Sequence, residues 1–294
     1  MHVSAILKSR EFNEKREVLI MKFTDAEFVK SFMRMAFDGW EQGWHERNGG
    51  NLTYRVKPEE VESVKENFVA GEWRNIGATV PKLAKQYFLA TGSGKFFRNI
   101  IERPEDSFCL IEIDETGTKY RIVWGMVNGG VPTSEIPAHL MSHEIKMELT
   151  NGENRLVYHA HPANTIALTY VLPLEDEAFT RELWESNNEC IYIFPQGVGV
   201  LPWMICGGEE IAKATHALMN KYDVVVWAHH GVFVTGPDFD TTFGLMHTVE
   251  KTAEILVKVM SMCDKKRQTI SAQNFRAVSD AAGLNIEERF LFEK

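Results

Sequence analysis

From Met21 onward the chain alternates between two hydrophobic periods. Phe28, Phe32, Met35, Ala36 and Trp40 fall on one helical stripe. Thr24, with Glu27 three residues on, reads as a capping box that opens this helix, and Gly49-Gly50 lie well beyond its end. Runs rich in β-branched and aromatic residues at 51–56, 109–113, 120–124, 156–161, 191–194 and 224–229 are predicted strands. Helical spacing returns at 134–149, 177–186, 208–221 and 240–262, the last carrying Phe243, Met246, Val249, Ala253, Leu256 and Met260 on one face. The charged stretch 57–66 reads as a long surface segment. No linker, low-complexity tract or repeat divides the chain. The pattern therefore predicts one α/β domain over 21–294. It is preceded by an N-terminal extension, 1–20, whose charges interrupt the apolar core that an export signal needs.

Composition narrows the picture. With 294 residues, 44% of them apolar, the chain can build one large core or two modest ones. The 32 Lys and Arg against 41 Asp and Glu leave a net charge of −9, which argues against nucleic acid and anionic membrane as partners. Apolar runs such as 224–228 are far shorter than the roughly 18 to 20 residues of a spanning helix, so a soluble protein is expected. Cys109, Cys190, Cys206 and Cys263 form no CxxC pair, which favours a reducing cytoplasm over a disulfide framework or a thiolate zinc site.

His159-Ala160-His161 ends the apolar run that starts at Leu156. On a strand, residues two apart share a face with their Cα atoms about 7 Å apart, which suits two ligands of one Zn²⁺. The pair is equally readable as surface or hydrogen-bonded histidines, and a third ligand must come from elsewhere. A second strand ends in His229-His230, of which only one can join the site if the strand continues. His139 and His143, four apart on a predicted helix, are a rival pair. They lack an HExxH pattern and read better as packing or hydrogen-bonding residues near the site. Ser134 is a possible cap of that helix, with Pro137 in its first turn, and Glu135 is either a surface carboxylate complementing the helix dipole or a functional acid. The turns at 48–51 and 91–95 offer backbone N–H groups to an anion, although neither matches a nucleotide fingerprint and each is also an ordinary turn. No GxSxG or other nucleophile setting appears, so metal-assisted chemistry on a phosphorylated small molecule fits best.

Taken together, GWHERNGGNLTYRV, TGSGKFFRN, VPTSEIPAHLMSH, HAHPANTIALTYVL, FTRELWESNNECI, GVGVLPWM and VVVWAHHGVFVTGP followed by TFGLMHTVEKTAEILVKV resemble the class II aldolase and adducin family. The resemblance spans roughly 43–260, most of the chain. It implies a three-layer α/β/α sandwich around a largely antiparallel sheet, assembled as a homotetramer with sites near subunit interfaces. By matching motif it implies His159, His161 and His230 as ligands of one Zn²⁺ per subunit and Glu135 as catalytic acid/base. It also implies Asn48, Asn51, Ser93, Gly94, Thr133 and Ser134 as the phosphate and substrate pocket, and Glu189 as a residue assisting at the aldehyde from a neighbouring subunit. The implied reaction is reversible cleavage of L-rhamnulose 1-phosphate into dihydroxyacetone phosphate and L-lactaldehyde in rhamnose catabolism, with KFFRN, LPWM and TFGL pointing to that substrate within the family. The alternatives are a related enzyme acting on L-fuculose 1-phosphate or epimerising L-ribulose 5-phosphate, and a non-catalytic adducin-like assembly module.

Overall fold

In the computed structural model, which describes residues 21–292, the strand-forming runs are β1 (Asn51–Arg55), β2 (Arg74–Asn75), β3 (Tyr87–Thr91), β4 (Phe108–Ile113), β5 (Lys119–Gly125), β6 (Leu156–Ala160), β7 (Gly199–Leu201), β8 (Val224–Trp227) and β9 (Gly231–Gly236). They join one sheet in the order β2-β5-β4-β3-β1-β6-β9-β8-β7. Every neighbouring pair is antiparallel except β7 with β8. The helices are α1 (Glu27–Glu41), α2 (Pro58–Val64), α3 (Pro104–Ser107), α4 (Ile136–Leu149), α5 (Ala163–Leu168), α6 (Asp176–Ser186), α7 (Cys190–Ile193), α8 (Glu209–Met219), α9 (Phe239–Met262) and α10 (Ala272–Ala282). The proposed extension 1–20 lies outside the described residues.

The sheet is buried on both faces, so its central strands read as continuous apolar runs rather than alternating ones. Alternation nonetheless sorts their side chains. Leu156, Tyr158 and Ala160 of β6, with Val224 and Val226 of β8 and Val232 and Val234 of β9, pack with α1, α6 and α9. Val157, Val225, Trp227 and Phe233 pack on the other side with Ala138 of α4 and Ile211 and Ala212 of α8. Helices thus cover both faces in three layers, as the family resemblance implies. No helix among the described residues is long and apolar enough to cross a membrane.

Several local expectations are corrected. The first helix starts at Glu27 with extended Ala26 at its cap, not at Thr24. Phe23 is the reason: it is buried and stacked on Trp124 with ring centroids 4.0 Å apart, which holds 23–25 in a separate 3₁₀ turn. Residues 191–194 are not a strand, because Cys190 and Ile191 are both buried while Tyr192 and Ile193 are exposed, the adjacent pairing of a helical turn rather than alternation. The stretch 57–66 contains α2, with Pro58 at its first position and Val64 buried. Ser134 does not cap α4; Glu135 occupies that position. Strands β2, β3, β7 and β9 lie outside the predicted runs; β2 and β7 span only two and three residues, too few for a periodic pattern.

Candidate metal centre and active site

Strand register gathers the site. Asn51 lies opposite His159 and Thr53 opposite Val157 across β1 and β6, and all four side chains turn to the α4 face. After His161-Pro162 the chain enters α5, whose first N–H groups are held by buried Glu250 of α9. Its carboxylate accepts from the backbone of Asn164 and of Thr165, each at 3.0 Å. This fixes the exit of the HAHP segment. β8 stops at Trp227, and 228–230 turn the chain into β9. His229 takes the left-handed conformation, φ 62°, its N–H donating to Thr169 Oγ1 at 3.0 Å. The turn directs His229 away and leaves His230 facing His159 and His161.

These three imidazoles form a nearly equilateral group, with ring centroids 5.0 to 5.1 Å apart. One ring nitrogen from each lies within 4.8 Å of the others. His159 Nδ1 donates to the Val232 carbonyl at 3.1 Å and His161 Nδ1 to the Glu46 carboxylate at 2.8 Å, so in the neutral rings Nε2 carries the lone pair. Both Nε2 atoms are buried without a hydrogen-bond partner among the described residues. Buried acceptors converging with no donor are costly, and a metal ion satisfies them. Burial, reinforced by the neighbouring rings, holds His159 well below the usual histidine range and lowers His230 to about 4, which keeps both in the cation-binding form. The residues present fit a metal ion.

Glu135 stands beside this group. It is 7% exposed, its Oε2 accepts from Asn51 Nδ2 at 2.8 Å, and the same oxygen is 3.8 Å from His159 Nε2. Burial raises its pKa, with the Asn51 hydrogen bond and His161 opposing that rise. Glycines let the turn 48–51 lie against β6: Gly50 has φ 73°, and a Cβ there would stand 2.7 Å from the His159 carbonyl oxygen and 2.4 Å from His45 Nδ1. His45 itself is buried, donates from Nδ1 to Gly49 O at 3.0 Å and stacks on Phe97 with ring centroids 3.9 Å apart. Loop 91–94 is zipped to 131–133 by Ser93 N to Val131 O and Thr133 N to Thr91 O, both at 2.9 Å.

The result is a cleft of about 170 Å³ lined by Asn48, Asn51, Ser93, Gly94, Thr133, Ser134, Glu135, His159, His161 and His230. Glu189 is apart from it, exposed at the start of α7. A larger groove of about 620 Å³, bounded by α6, α9 and the segment before α10, contains none of these residues. Sequence reasoning missed Glu46, Thr53 and Cys206, whose Sγ lies within 4.8 Å of a Glu135 carboxylate oxygen and a His230 ring nitrogen. Thr53 was within reach of alternation counted from Asn51; a lone cysteine and an exposed glutamate carry no spacing signal.

Residues 31–257 match the Class II Aldolase and Adducin N-terminal domain. The chain is 50% identical over 259 residues to the rhamnulose-1-phosphate aldolase of Mannheimia succiniciproducens, covering 87% of this chain and 94% of that protein. It is 44% identical over 266 residues to the enzyme of the same name from Escherichia coli, covering 90% and 97%. Among solved structures, the sugar-phosphate aldolase from Thermotoga maritima superposes with a TM-score of 0.69 at 27% identity, over 82% of this chain and 97% of that one. A fold of this topology, a cleft uniting three histidines with a buried glutamate, and likeness over nine-tenths of the relatives' length lead to one conclusion: the chain belongs to the class II aldolase and adducin family.

Proposed function

We propose that this protein is a zinc-dependent aldolase that reversibly cleaves L-rhamnulose 1-phosphate into dihydroxyacetone phosphate and L-lactaldehyde, as a cytoplasmic step of rhamnose catabolism. The family is metal-dependent. The observation that carries the reading is the buried carboxylate of Glu135 set 3.8 Å from the bare nitrogen of a three-histidine group, in a chain 44 to 50% identical to proteins named for this reaction.

His159, His161 and His230 are the residues that hold the metal. Three neutral imidazoles would leave a bound Zn²⁺ its full charge, and the ion supplies Lewis-acid stabilisation of negative charge on the substrate's oxygens. Glu135 carries the proton. As the C3–C4 bond breaks, the C4 hydroxyl gives up its proton to solvent and C4 becomes the aldehyde carbonyl; the electron pair left on C3 of the dihydroxyacetone phosphate fragment takes a proton from protonated Glu135, whose carboxylate is reprotonated from solvent, and synthesis runs the same transfers in reverse. Burial raises its pKa and so favours the protonated form that cleavage uses, while the Asn51 hydrogen bond supports the carboxylate that synthesis uses. Asn48, Asn51, Ser93, Gly94, Thr133 and Ser134 bind the phosphate and the adjoining substrate atoms through amide, hydroxyl and backbone N–H groups, which anchors the ketose away from the bond that breaks. Glu189 assists at the aldehyde from a neighbouring subunit of a homotetramer, and residues 21–294 act as one domain behind the extension 1–20.

The test is release of dihydroxyacetone phosphate from L-rhamnulose 1-phosphate, L-fuculose 1-phosphate and L-ribulose 5-phosphate, with and without a chelator. Fast, chelator-sensitive release from the first substrate alone supports the reading. No release by fully metallated protein overturns it in favour of an epimerase or an assembly module.

A further inference from the structure

Behind the cleft, α4 and the sheet enclose a polar thread in an otherwise apolar layer. Thr53, His139 and His143 are at most 1% exposed. Thr53 Oγ1 lies 2.8 Å from His139 Nδ1 and 2.8 Å from His143 Nε2. His139 Nε2 meets the Oδ1 of Asn51, whose Nδ2 reaches Glu135. Phe233 packs on His139 and Phe88 on His143, with centroids 5.2 and 5.0 Å apart.

The direction of every hydrogen bond follows from the donor inventory. Glu135 Oε2 accepts from Asn51 Nδ2 whether Oε1 is ionised or carries a proton, so the Asn51 amide N–H₂ faces Glu135 and its carbonyl faces His139. That carbonyl also only accepts, so His139 Nε2 carries hydrogen. Burial without a carboxylate partner keeps His139 neutral, lowering it to about 3, so Nδ1 is bare and accepts from the Thr53 hydroxyl. Thr53 has then used its one proton, and His143 must donate to it from Nε2. Each member donates toward the cleft, from His143 through Thr53, His139 and Asn51 to Glu135. Flipping the Asn51 amide would set donor against donor at His139 and oxygen against oxygen at Glu135. An apolar filling of this layer would pack as well and avoid burying polar groups, so the thread has a cost that packing alone does not explain.

We infer that Thr53, His139 and His143 are positioning residues that lock the Asn51 amide in one orientation, so that Glu135 is held by Oε2 and presents Oε1 for proton transfer. This rests on the acid/base reading of Glu135. The geometry constrains the reacting carboxylate rather than the affinity for substrate, so its loss falls on kcat. Misplacing a reacting group by about 1 Å can cost about 100-fold.

The experiment compares Thr53→Val and His139→Leu, which cut the thread, with Thr53→Ser and His139→Gln, which retain the donors it needs. We expect the first pair to lose about 10- to 100-fold in kcat with KM and metal content unchanged, and the second pair to recover most of that loss. In ¹⁵N-histidine-labelled wild-type protein, NMR should show hydrogen on Nε2 of both His139 and His143. The inference is overturned if either ring carries its hydrogen on Nδ1, if the cut variants keep wild-type kcat, or if the conservative variants lose as much as the cut ones. A separate Glu135→Gln control distinguishes the underlying reading: full turnover in that variant removes the acid/base role itself, whatever the tautomers.

Discussion

Asn51 and His159 face each other as directly paired residues of β1 and β6, one holding Glu135 and the other presenting a bare nitrogen to the three-histidine group. A one-residue slip between these strands would send both side chains to the opposite face. Glu135, held through Asn51, and the three-histidine group, entered at His159, are therefore placed by the same backbone hydrogen bonds.

Replacing Glu135 by glutamine keeps the Asn51 contact region and the histidines intact but removes the transferable proton. Turnover should drop by about 10²- to 10⁴-fold while metal content stays at wild-type level. Steady-state kinetics and metal analysis on the same preparation check both halves.

The two adjacent histidines should behave oppositely. His230→Ala removes a member of the converging group and should leave the protein depleted of metal after dialysis. His229→Ala, which alters a ring held near Thr169 outside the cleft, should retain metal and most activity. Equal metal loss in both variants would contradict the geometry of the turn.

Glu46 accepts from His161 Nδ1 and thereby sets which nitrogen of that ring is free. Glu46→Ala should weaken metal affinity by about 10- to 100-fold, the usual effect of deleting a residue that orients a metal ligand. Competition with a chromophoric chelator measures it.

A Cβ added at Gly231 would stand 2.4 Å from the Ala160 carbonyl oxygen and 2.8 Å from His159 Cε1. Gly231→Ala must push β9 away from β6 at the point where His159 is seated. We expect a loss of about 1 to 3 kcal/mol in stability, seen as a lower Tm, together with reduced metal affinity.

Acid should destabilise the fold through His45, His139 and His143, which burial keeps neutral, the first two down to about 3 against an ordinary value of 6.5. Between those limits the unfolded chain binds protons that the folded chain does not, so stability is present above about pH 6.5 and falls as pH drops toward 3. Each ring contributes up to about 1.4 kcal/mol per pH unit. Urea unfolding at pH 6, 5 and 4 should show a slope that His139→Gln reduces by about that amount. An unchanged slope would mean that His139 is protonated in the folded protein.

Much of this protein was legible in the chain itself. The pattern of 156–161 and 224–229 marked two strands, which end earlier than expected at Ala160 and Trp227, and the spacing of HAHP put two imidazoles on one side, because period-two alternation is a property of the backbone and needs no partner. The helices at 134–149, 177–186, 208–221 and 240–262 were found to within one or two residues at most ends for the same reason, since a buried stripe repeats locally. Motif resemblance supplied the family and the residue set of the cleft. What the chain alone left open was decided by contacts between distant segments. Whether His229 or His230 faces the other histidines depended on where β8 stops, and it stops because the chain turns at 228–230 into β9 against β6. Thr24 lost its capping role because Phe23 found Trp124, 101 positions along the chain. The hydrogen-bond thread of Thr53, His139 and His143 emerged only once β1 lay under α4, because a buried hydrogen-bond direction is fixed by its partners in space and not by their spacing in sequence.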